Sequence, residues 1–213
     1  MTPTVLSASL LGAMLVASLL MESRMRLTSL VTLFRVQSAF LGFYALLLAY
    51  AEGAIHLAVI ALLILALKAF VIPEFLLRVA RASGASERLE AYVRPTTLSF
   101  AGLLVVGLAF AATNLLLPDG HYFAAAVSLS LVMLGFLLLV SRKDMFGQGI
   151  GFLGMENGIF IFGLALTGGM PLLVELSALF DLLILFILVA ALVRRAQHEH
   201  SSVGTDLLRT LTD

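Results

Sequence analysis

The chain has 213 residues, of which 61% are hydrophobic and only 12% charged, and its mean hydropathy of +1.09 is far above that of a soluble domain. Its 13 basic residues balance 13 acidic ones, so the net charge gives no information about partners. The chain has no cysteine, which excludes disulfides, thiolate metal sites and iron–sulfur ligation by this chain itself.

Apolar stretches of about 20 residues are long enough to cross a bilayer as helices. The sequence contains seven, over approximately residues 4–21, 27–50, 55–77, 96–117, 122–140, 147–168 and 171–193. The first has no basic segment before it and leads directly into Glu22, so we interpret it as a retained helix and not as a signal peptide. We therefore predict an all-α integral membrane protein, a bundle of seven transmembrane helices.

Basic residues occur only in alternate connections. They follow the first, third, fifth and seventh predicted spans, whereas the other connections contain neither Lys nor Arg. The positive-inside rule then places the N-terminus outside and the C-terminus in the cytoplasm. The longest polar connection, residues 78–95, is expected to be a cytoplasmic loop or a short surface helix.

Seven spans divide naturally into three, one and three. We predict an N-terminal three-helix membrane unit with its cytoplasmic loop (1–95), a linking helix (96–121), a second three-helix unit (122–197) and a cytoplasmic tail (198–213). The segments 33–50 and 152–169 suggest a faint internal repeat, in which Gln37 corresponds to Glu156.

Glu156 lies near the middle of the apolar stretch GFLGMENGIFIFGLAL, residues 151–166. A lone ionisable side chain at the centre of a membrane helix costs about 2.5–3.5 kcal/mol, so another helix or water must relieve that cost. Asn157 is adjacent, and glycines four residues apart at 147/151 and 154/158 would let a neighbouring backbone approach closely. A carboxylate balanced between burial and a nearby cation can take up and release a proton. The alternative is a static interhelical hydrogen bond.

Lys68 lies in another apolar run, five residues before Pro73. Proline has no N–H, so the carbonyl of Ala69 loses its helical partner and the helix is expected to kink there. Lys68 either pairs inside the bundle, beside that free carbonyl, or extends its ammonium group to the cytoplasmic interface.

Further polar residues interrupt other spans. Asp181 is deep in the last span, Glu175 is nearer its outer end, and Arg35 and Gln37 share the second span. Arg35 either pairs with an intramembrane acid or extends to the interface. The predicted proton path comprises Glu156, Lys68, Asp181, Glu175, Arg35, Gln37 and Asn157.

Several functional classes have no support in the sequence. It contains no phosphate-binding glycine loop, no Ser/His/Asp set and no basic patch for nucleic acid. We therefore expect neither a self-contained catalytic site nor a nucleic-acid partner.

The stretches GFLGMENGIFIFGLAL and PLLVELSALFDLLILFILVAALVRR resemble the C-terminal half of component E of hydrogenase-4, a membrane subunit of group 4 nickel–iron (NiFe) hydrogenases and formate hydrogenlyases. The segments VQS (36–38), LKAFVIP (67–73) and VGTDLLRTLTD extend this resemblance over nearly the whole chain. The last three spans also resemble the K subunit of complex I and the C subunit of multisubunit Na+/H+ antiporters. On that comparison Glu156 matches the acid of their second helix, and Asp181 falls near the acid of their third.

This resemblance implies a non-catalytic subunit in the membrane arm of a complex-I-like oxidoreductase, within a bacterial or archaeal cytoplasmic membrane. It implies antiporter-like membrane subunits and a peripheral hydrogenase-like arm as partners, and a contribution to proton translocation. The NiFe centre and the iron–sulfur clusters would belong to other subunits, with no cofactor in this chain. Two alternatives are a stand-alone secondary transporter and a passive scaffold of the membrane arm.

Overall fold

In a computed structural model of the chain, the described residues are 3–116 and 122–167, and they are largely helical. The helices are α1 (Pro3–Ser23), α2 (Leu27–Glu52), α3 (Ile55–Ile64), α4 (Ile72–Ala82), α5 (Pro95–Leu116), α6 (Tyr122–Ser141) and α7 (Met145–Thr167). A π-helical segment, Leu65–Val71, joins α3 to α4 without a break. We call the continuous helix Ile55–Ala82 the α3–α4 rod.

Five helices of the described residues are long and apolar enough to cross a membrane. They are Val5–Ser23, Leu27–Glu52, Ile55–Ala82, Pro95–Leu116 and Tyr122–Ser141, which correspond to the first five predicted spans. Helix α7 covers the sixth predicted span, and its 23 residues extend about 35 Å. The seventh predicted span, 171–193, lies outside the described residues, so the count of seven and the orientation stay predictions.

The third predicted span is longer than its hydropathy indicated. Leu76, Val79 and Ala80 are buried at helical spacing, so the helix continues to Ala82 along a buried face. The polar connection is therefore shorter than the predicted 78–95, and residues 83–94 are not helical but run beside neighbouring connections.

Backbone hydrogen bonds join three connections at one end of the bundle. Leu89 N–H donates to the carbonyl of Met25 at 2.8 Å, and Tyr92 N–H donates to the carbonyl of Ser141 at 2.9 Å. The connections 24–26, 83–94 and 142–144 thus meet at what we call the basic end, and these are three of the connections in which the sequence concentrates Lys and Arg.

The exposed carboxylate of Glu87 fastens part of the basic end. Thr28 Oγ1 donates to Glu87 Oε1 at 2.8 Å, and Arg26 Nη2 donates to the same oxygen at 2.9 Å. The hydrogen bond from Thr28, followed by the hydrogen bond and positive charge of Arg26, lowers the pKa of Glu87 from its ordinary value of 4.5.

Glycines bring α6 and α7 into backbone contact. A Cβ atom at Gly151 would lie 2.6 Å from the backbone nitrogen of Leu139, and one at Gly158 would lie 2.7 Å from that of Val132. Ser128 Oγ in α6 also donates to the carbonyl of Gly158 at 2.8 Å. Such close approach is typical of membrane helices that associate through small residues.

The predicted glycine pairing was therefore only partly right. The contact uses Gly151 and Gly158, which lie seven residues and about two turns apart on one face of α7. Gly147 instead faces the side chains of Arg142 and Asp144 in its own connection, and Gly154 faces Gln37 in α2. Four-residue spacing holds for two pairs of these glycines, 147/151 and 154/158, and the position of α6 determines which single member of each pair makes the contact.

Two apolar clusters fill the bundle. One lies toward the basic end and includes Phe34, Leu76 and Leu153; the other lies toward the opposite end and includes Leu41 and Phe160. Helix α2, the α3–α4 rod and α7 each contribute residues to both clusters, and in each of them a short polar stretch lies between the two contributions. These stretches form a layer between the two clusters, about midway along the helices.

Candidate functional site

We call the buried polar groups between the two apolar clusters the polar layer. They are Gln37 and Ser38 of α2, Lys68 of the π-helical segment, and Glu156 and Asn157 of α7. Gln37 lies ten residues from the start of α2, about 15 Å along its axis, and Glu156 lies about 16 Å along α7. Since the hydrocarbon core of a bilayer is about 30 Å thick, the polar layer would lie near the midplane of a membrane that these helices cross.

An ion pair dominates the polar layer. Lys68 Nζ lies 3.0 Å from Glu156 Oε1, and the side chains are only 4% and 3% exposed. Lys68 therefore pairs inside the bundle and does not extend to the interface, which were the two alternatives left by the sequence. The positive charge that compensates the carboxylate of Glu156 therefore comes from another helix, the α3–α4 rod.

The π-helical segment positions Lys68. It begins at Leu65 and ends at Val71, and Ile72 N–H donates to the carbonyl of Leu67, five residues back. The next residue, Pro73, has no N–H to donate, so the helix changes register where we predicted a kink. The sequence thus located the irregularity correctly, and its form is a widened turn that contains the buried cation.

Asn157 connects the ion pair to α2. Lys68 Nζ donates to Asn157 Oδ1 at 3.4 Å, and Asn157 Nδ2 donates to Ser38 Oγ at 3.1 Å and to Gln37 Oε1 at 3.5 Å. Gln37 Nε2 in turn donates to Ser18 Oγ of α1 at 2.7 Å. A continuous series of polar contacts therefore runs from the α3–α4 rod through α7 and α2 to α1.

The remaining predicted site residues lie elsewhere. Arg35 Nη2 is 3.8 Å from Glu74 Oε2 in a half-exposed pair, and Arg78 Nε also donates to Glu74, at 3.2 Å. Arg35 is thus separate from the polar layer, although it does pair with an acid. Glu175 and Asp181 lie outside the described residues.

Sequence reasoning missed a second group of buried charges at the basic end. Glu22 is 1% exposed and Arg142 is fully buried. Arg142 Nη2 donates to the carbonyls of Met21 and Glu22, at 3.3 and 3.1 Å, and Nη1 contacts the sulfur of Met25 at 2.9 Å. The guanidinium therefore satisfies carbonyls in the last turn of α1, where a cation also complements the helix dipole.

The sequence carried one signal for this group. Ser18 and Glu22 are four residues apart, so they lie on the same face of α1, and Ser18 is itself buried. This shared face indicates an inward-pointing carboxylate only once the burial of Ser18 is known from the structure. Without coordinates, Glu22 and Arg142 look like ordinary interfacial charges.

The polar layer has the groups that proton exchange needs. The carboxylate of Glu156 and the amine of Lys68 each exist in two protonation states, and they are within hydrogen-bonding distance. The hydroxyl of Ser38 can both accept and donate, whereas the amides of Gln37 and Asn157 orient the network. Among residues 3–116 and 122–167, no cluster of His, Asp and Glu is suited to hold a metal ion.

No protein-family model matches the chain, and no solved structure matches it. It is 31% identical over 113 residues to hydrogenase-4 component E of Escherichia coli K12, and equally to that of Shigella flexneri. That similarity covers 52% of this chain and 52% of the length of that protein, whereas we expected it to cover nearly the whole chain.

A second relative matches over the full length. The uncharacterized protein Rv0085 of Mycobacterium tuberculosis is 31% identical over 208 residues, which are 95% of this chain and 94% of that protein. The chain therefore belongs to the family of the uncharacterized protein Rv0085.

Proposed function

We propose that this chain is a membrane subunit of a complex-I-like, hydrogenase-4-type respiratory complex and that its polar layer contributes to a transmembrane proton path. The observation that carries the proposal is the Lys68–Glu156 pair, 3.0 Å apart and almost fully buried between apolar clusters. The similarity to hydrogenase-4 component E supports the assignment to that kind of complex.

Energetics favour a working pair over a purely structural one. Replacing a buried ion pair by well-packed apolar residues is often neutral or even stabilising. A membrane helix that needed only to pack would therefore lose little by carrying apolar residues at both positions. Ionisable groups that persist inside a membrane bundle mark proton or ion pathways by default.

The pair also provides a way to couple charge to conformation. A proton that binds Glu156 removes its negative charge, which weakens the attraction that holds the ammonium of Lys68 beside it and favours the contact of that ammonium with Asn157. Loss of the proton restores the pair. Lys68 lies in a π-helical segment, and such irregular turns recur at functional sites. The backbone at this segment is therefore where we expect the helix to adjust when the ammonium of Lys68 moves.

The proposal includes the surroundings of the chain. The bundle lies in the bacterial or archaeal cytoplasmic membrane as seven spans, with its N-terminus outside and the basic end in the cytoplasm. Antiporter-like membrane subunits are its neighbours, and a peripheral hydrogenase-like arm holds the NiFe centre and the iron–sulfur clusters. The basic end, where Arg and Lys are concentrated, supports the cytoplasmic assignment.

The test is Glu156→Gln in the intact complex, reconstituted into vesicles, with redox turnover and proton translocation measured together. Proton translocation is expected to fall by at least about tenfold, because a general acid–base group typically contributes 10²–10⁴-fold. Glu52→Gln is the matched control, since Glu52 is an exposed carboxylate at the end of α2. Normal assembly, turnover and translocation in Glu156→Gln would reject the relay.

The alternatives predict different results. For a scaffold, neutral substitutions impair assembly while the complexes that do assemble translocate protons normally. For a stand-alone transporter, the purified chain moves a substrate after reconstitution without any partner subunit.

A further inference from the structure

Glu22 is a buried carboxylate outside the polar layer. It lies in the last turn of α1 with 1% of its surface exposed, and its Oε2 atom has no hydrogen-bond partner among the described residues. A carboxylate oxygen in such a position is costly unless water solvates it or a proton neutralises it.

A small cavity adjoins this carboxylate. Its polar lining is Ser18, Glu22 and Gln37, and its remaining walls are Gly154, Gly135, Met21 and leucines of α6. Its volume is about 10 Å³, which is close to the minimum for one water molecule. Three polar side chains also give that water the two to four partners it needs.

The cavity is continuous with the polar layer. Gln37 and Ser18, both in its lining, are hydrogen-bonded to each other at 2.7 Å, and Gln37 also accepts from Asn157 at 3.5 Å. Asn157 in turn accepts from Lys68. The walls of the cavity therefore belong to the same series of contacts that ends at the Lys68–Glu156 pair.

On its other side, Glu22 faces the basic end. Arg142 is the cation whose charge acts on Glu22, and its guanidinium donates to the carbonyl of that same residue. The charge of Asp144 also acts on Arg142. Loss of a proton from Glu22 therefore leaves a carboxylate beside a buried cation, and not an isolated charge.

We propose that Glu22 is the proton-loading residue at the basic end and that it exchanges its proton with a water molecule in the Ser18–Glu22–Gln37 cavity, which borders the polar layer. In this exchange the O–H bond of the Glu22 carboxylic acid breaks as a new O–H bond forms on the water. The water at the same time gives one of its other protons to Oε2, the second carboxylate oxygen of Glu22, so that no charge is left in the cavity. This inference rests on the proposed function and adds to it the residue at which protons enter the path.

The first experiment compares carboxylates in the intact complex. Glu22→Gln is expected to lower proton translocation about tenfold with assembly preserved, and Glu22→Asp is expected to restore part of the rate because it keeps the carboxyl group. Glu87→Gln is the control, since Glu87 is an exposed carboxylate at the same end of the bundle. Glu156→Gln is measured in parallel.

The outcomes separate the two proposals. If Glu22→Gln translocates protons normally while Glu156→Gln does not, Glu22 is not the loading residue and the proposed function stands. If both variants translocate normally, the proposed function fails, and this inference fails with it.

The second experiment fills the cavity. A methyl group at Gly154 would meet only Gln37 Oε1, at an ordinary 3.8 Å, so Gly154→Ala is expected to fold and to displace the water. Gly149→Ala is the control, because nothing lies within 4 Å of a Cβ atom at that position and it does not line the cavity. Gly154→Ala should slow proton translocation several-fold, and a wild-type rate would overturn the inference.

High-resolution density of the complex provides a readout that does not depend on translocation. The wild-type protein should show one ordered water in contact with Glu22, and Gly154→Ala should lack it. A dry cavity in the wild-type protein would also overturn the inference.

Discussion

Removing one or both partners of the Lys68–Glu156 pair measures how strongly the two groups depend on each other. The perturbations are Lys68→Met, Glu156→Gln and the double variant. At 3.0 Å and an effective dielectric constant of about 20, the Coulomb attraction is about 5.5 kcal/mol before desolvation. Loss of one partner from a buried pair typically costs about 3–5 kcal/mol, because the other charge stays buried without it.

The double variant has neither charge, so its destabilisation should be much less than the sum of the two single effects. We expect a coupling free energy of about 2–4 kcal/mol. Ordinary hydrogen bonds between membrane helices average about 0.6 kcal/mol in such cycles, so the two kinds of contact are distinguishable.

The assay is unfolding of the full-length chain in mild-detergent micelles by graded addition of dodecyl sulfate, followed by loss of helical signal. The same cycle at Arg35 and Glu74 is the control, because that pair is 3.8 Å apart and half-exposed. Its coupling should be at most about 1 kcal/mol. A Lys68–Glu156 coupling no larger than that of the control pair would show that the two buried charges do not stabilise each other.

Three further predictions use the same unfolding assay. Gly151→Ala should destabilise the chain by about 1–3 kcal/mol, because its new methyl group would lie 2.6 Å from the backbone of α6, whereas Gly149→Ala should not destabilise it; equal effects would contradict the glycine contact. Arg142→Leu should lower the free energy of unfolding by about 3–5 kcal/mol, since it leaves the carbonyls of α1 and a buried carboxylate without their cation. A loss below about 1 kcal/mol would contradict this stabilising role of Arg142. Hydrogen bonding lowers the pKa of Glu87 from 4.5, so its contribution is fully present above that value and is lost as pH falls through the lowered pKa. The difference in stability between wild-type protein and Glu87→Gln should therefore shrink below about pH 4.5, and a difference that does not change with pH would contradict this assignment.

Helix positions were predictable from the sequence because each apolar stretch has to match the bilayer thickness. The stranded charges Lys68 and Glu156 were predictable for a related reason. Neither has compensation in its own helix, so each requires a partner from another, and Pro73 indicated where the backbone would depart from α-helical register.

The basic end was less predictable. Glu22 and Arg142 stand at the ends of apolar stretches, where exposed charges are ordinary, and only the packing of α1 against α6 and its connection shows that both are buried. Arg35 was ambiguous for another reason, because a long basic side chain inside an apolar stretch can either pair with an acid or extend to the interface. The choice of Gly151 and Gly158 likewise depended on the partner helix.

The proposed relay requires that Glu156 change its protonation state while the complex works. Infrared difference spectra of the assembled complex, oxidised minus reduced, measure this directly through the carbonyl stretch of a protonated carboxyl group. The wild-type complex should show a carboxyl band that changes during turnover, and Glu156→Gln should lack it. Identical carboxyl spectra for the two complexes would contradict the relay.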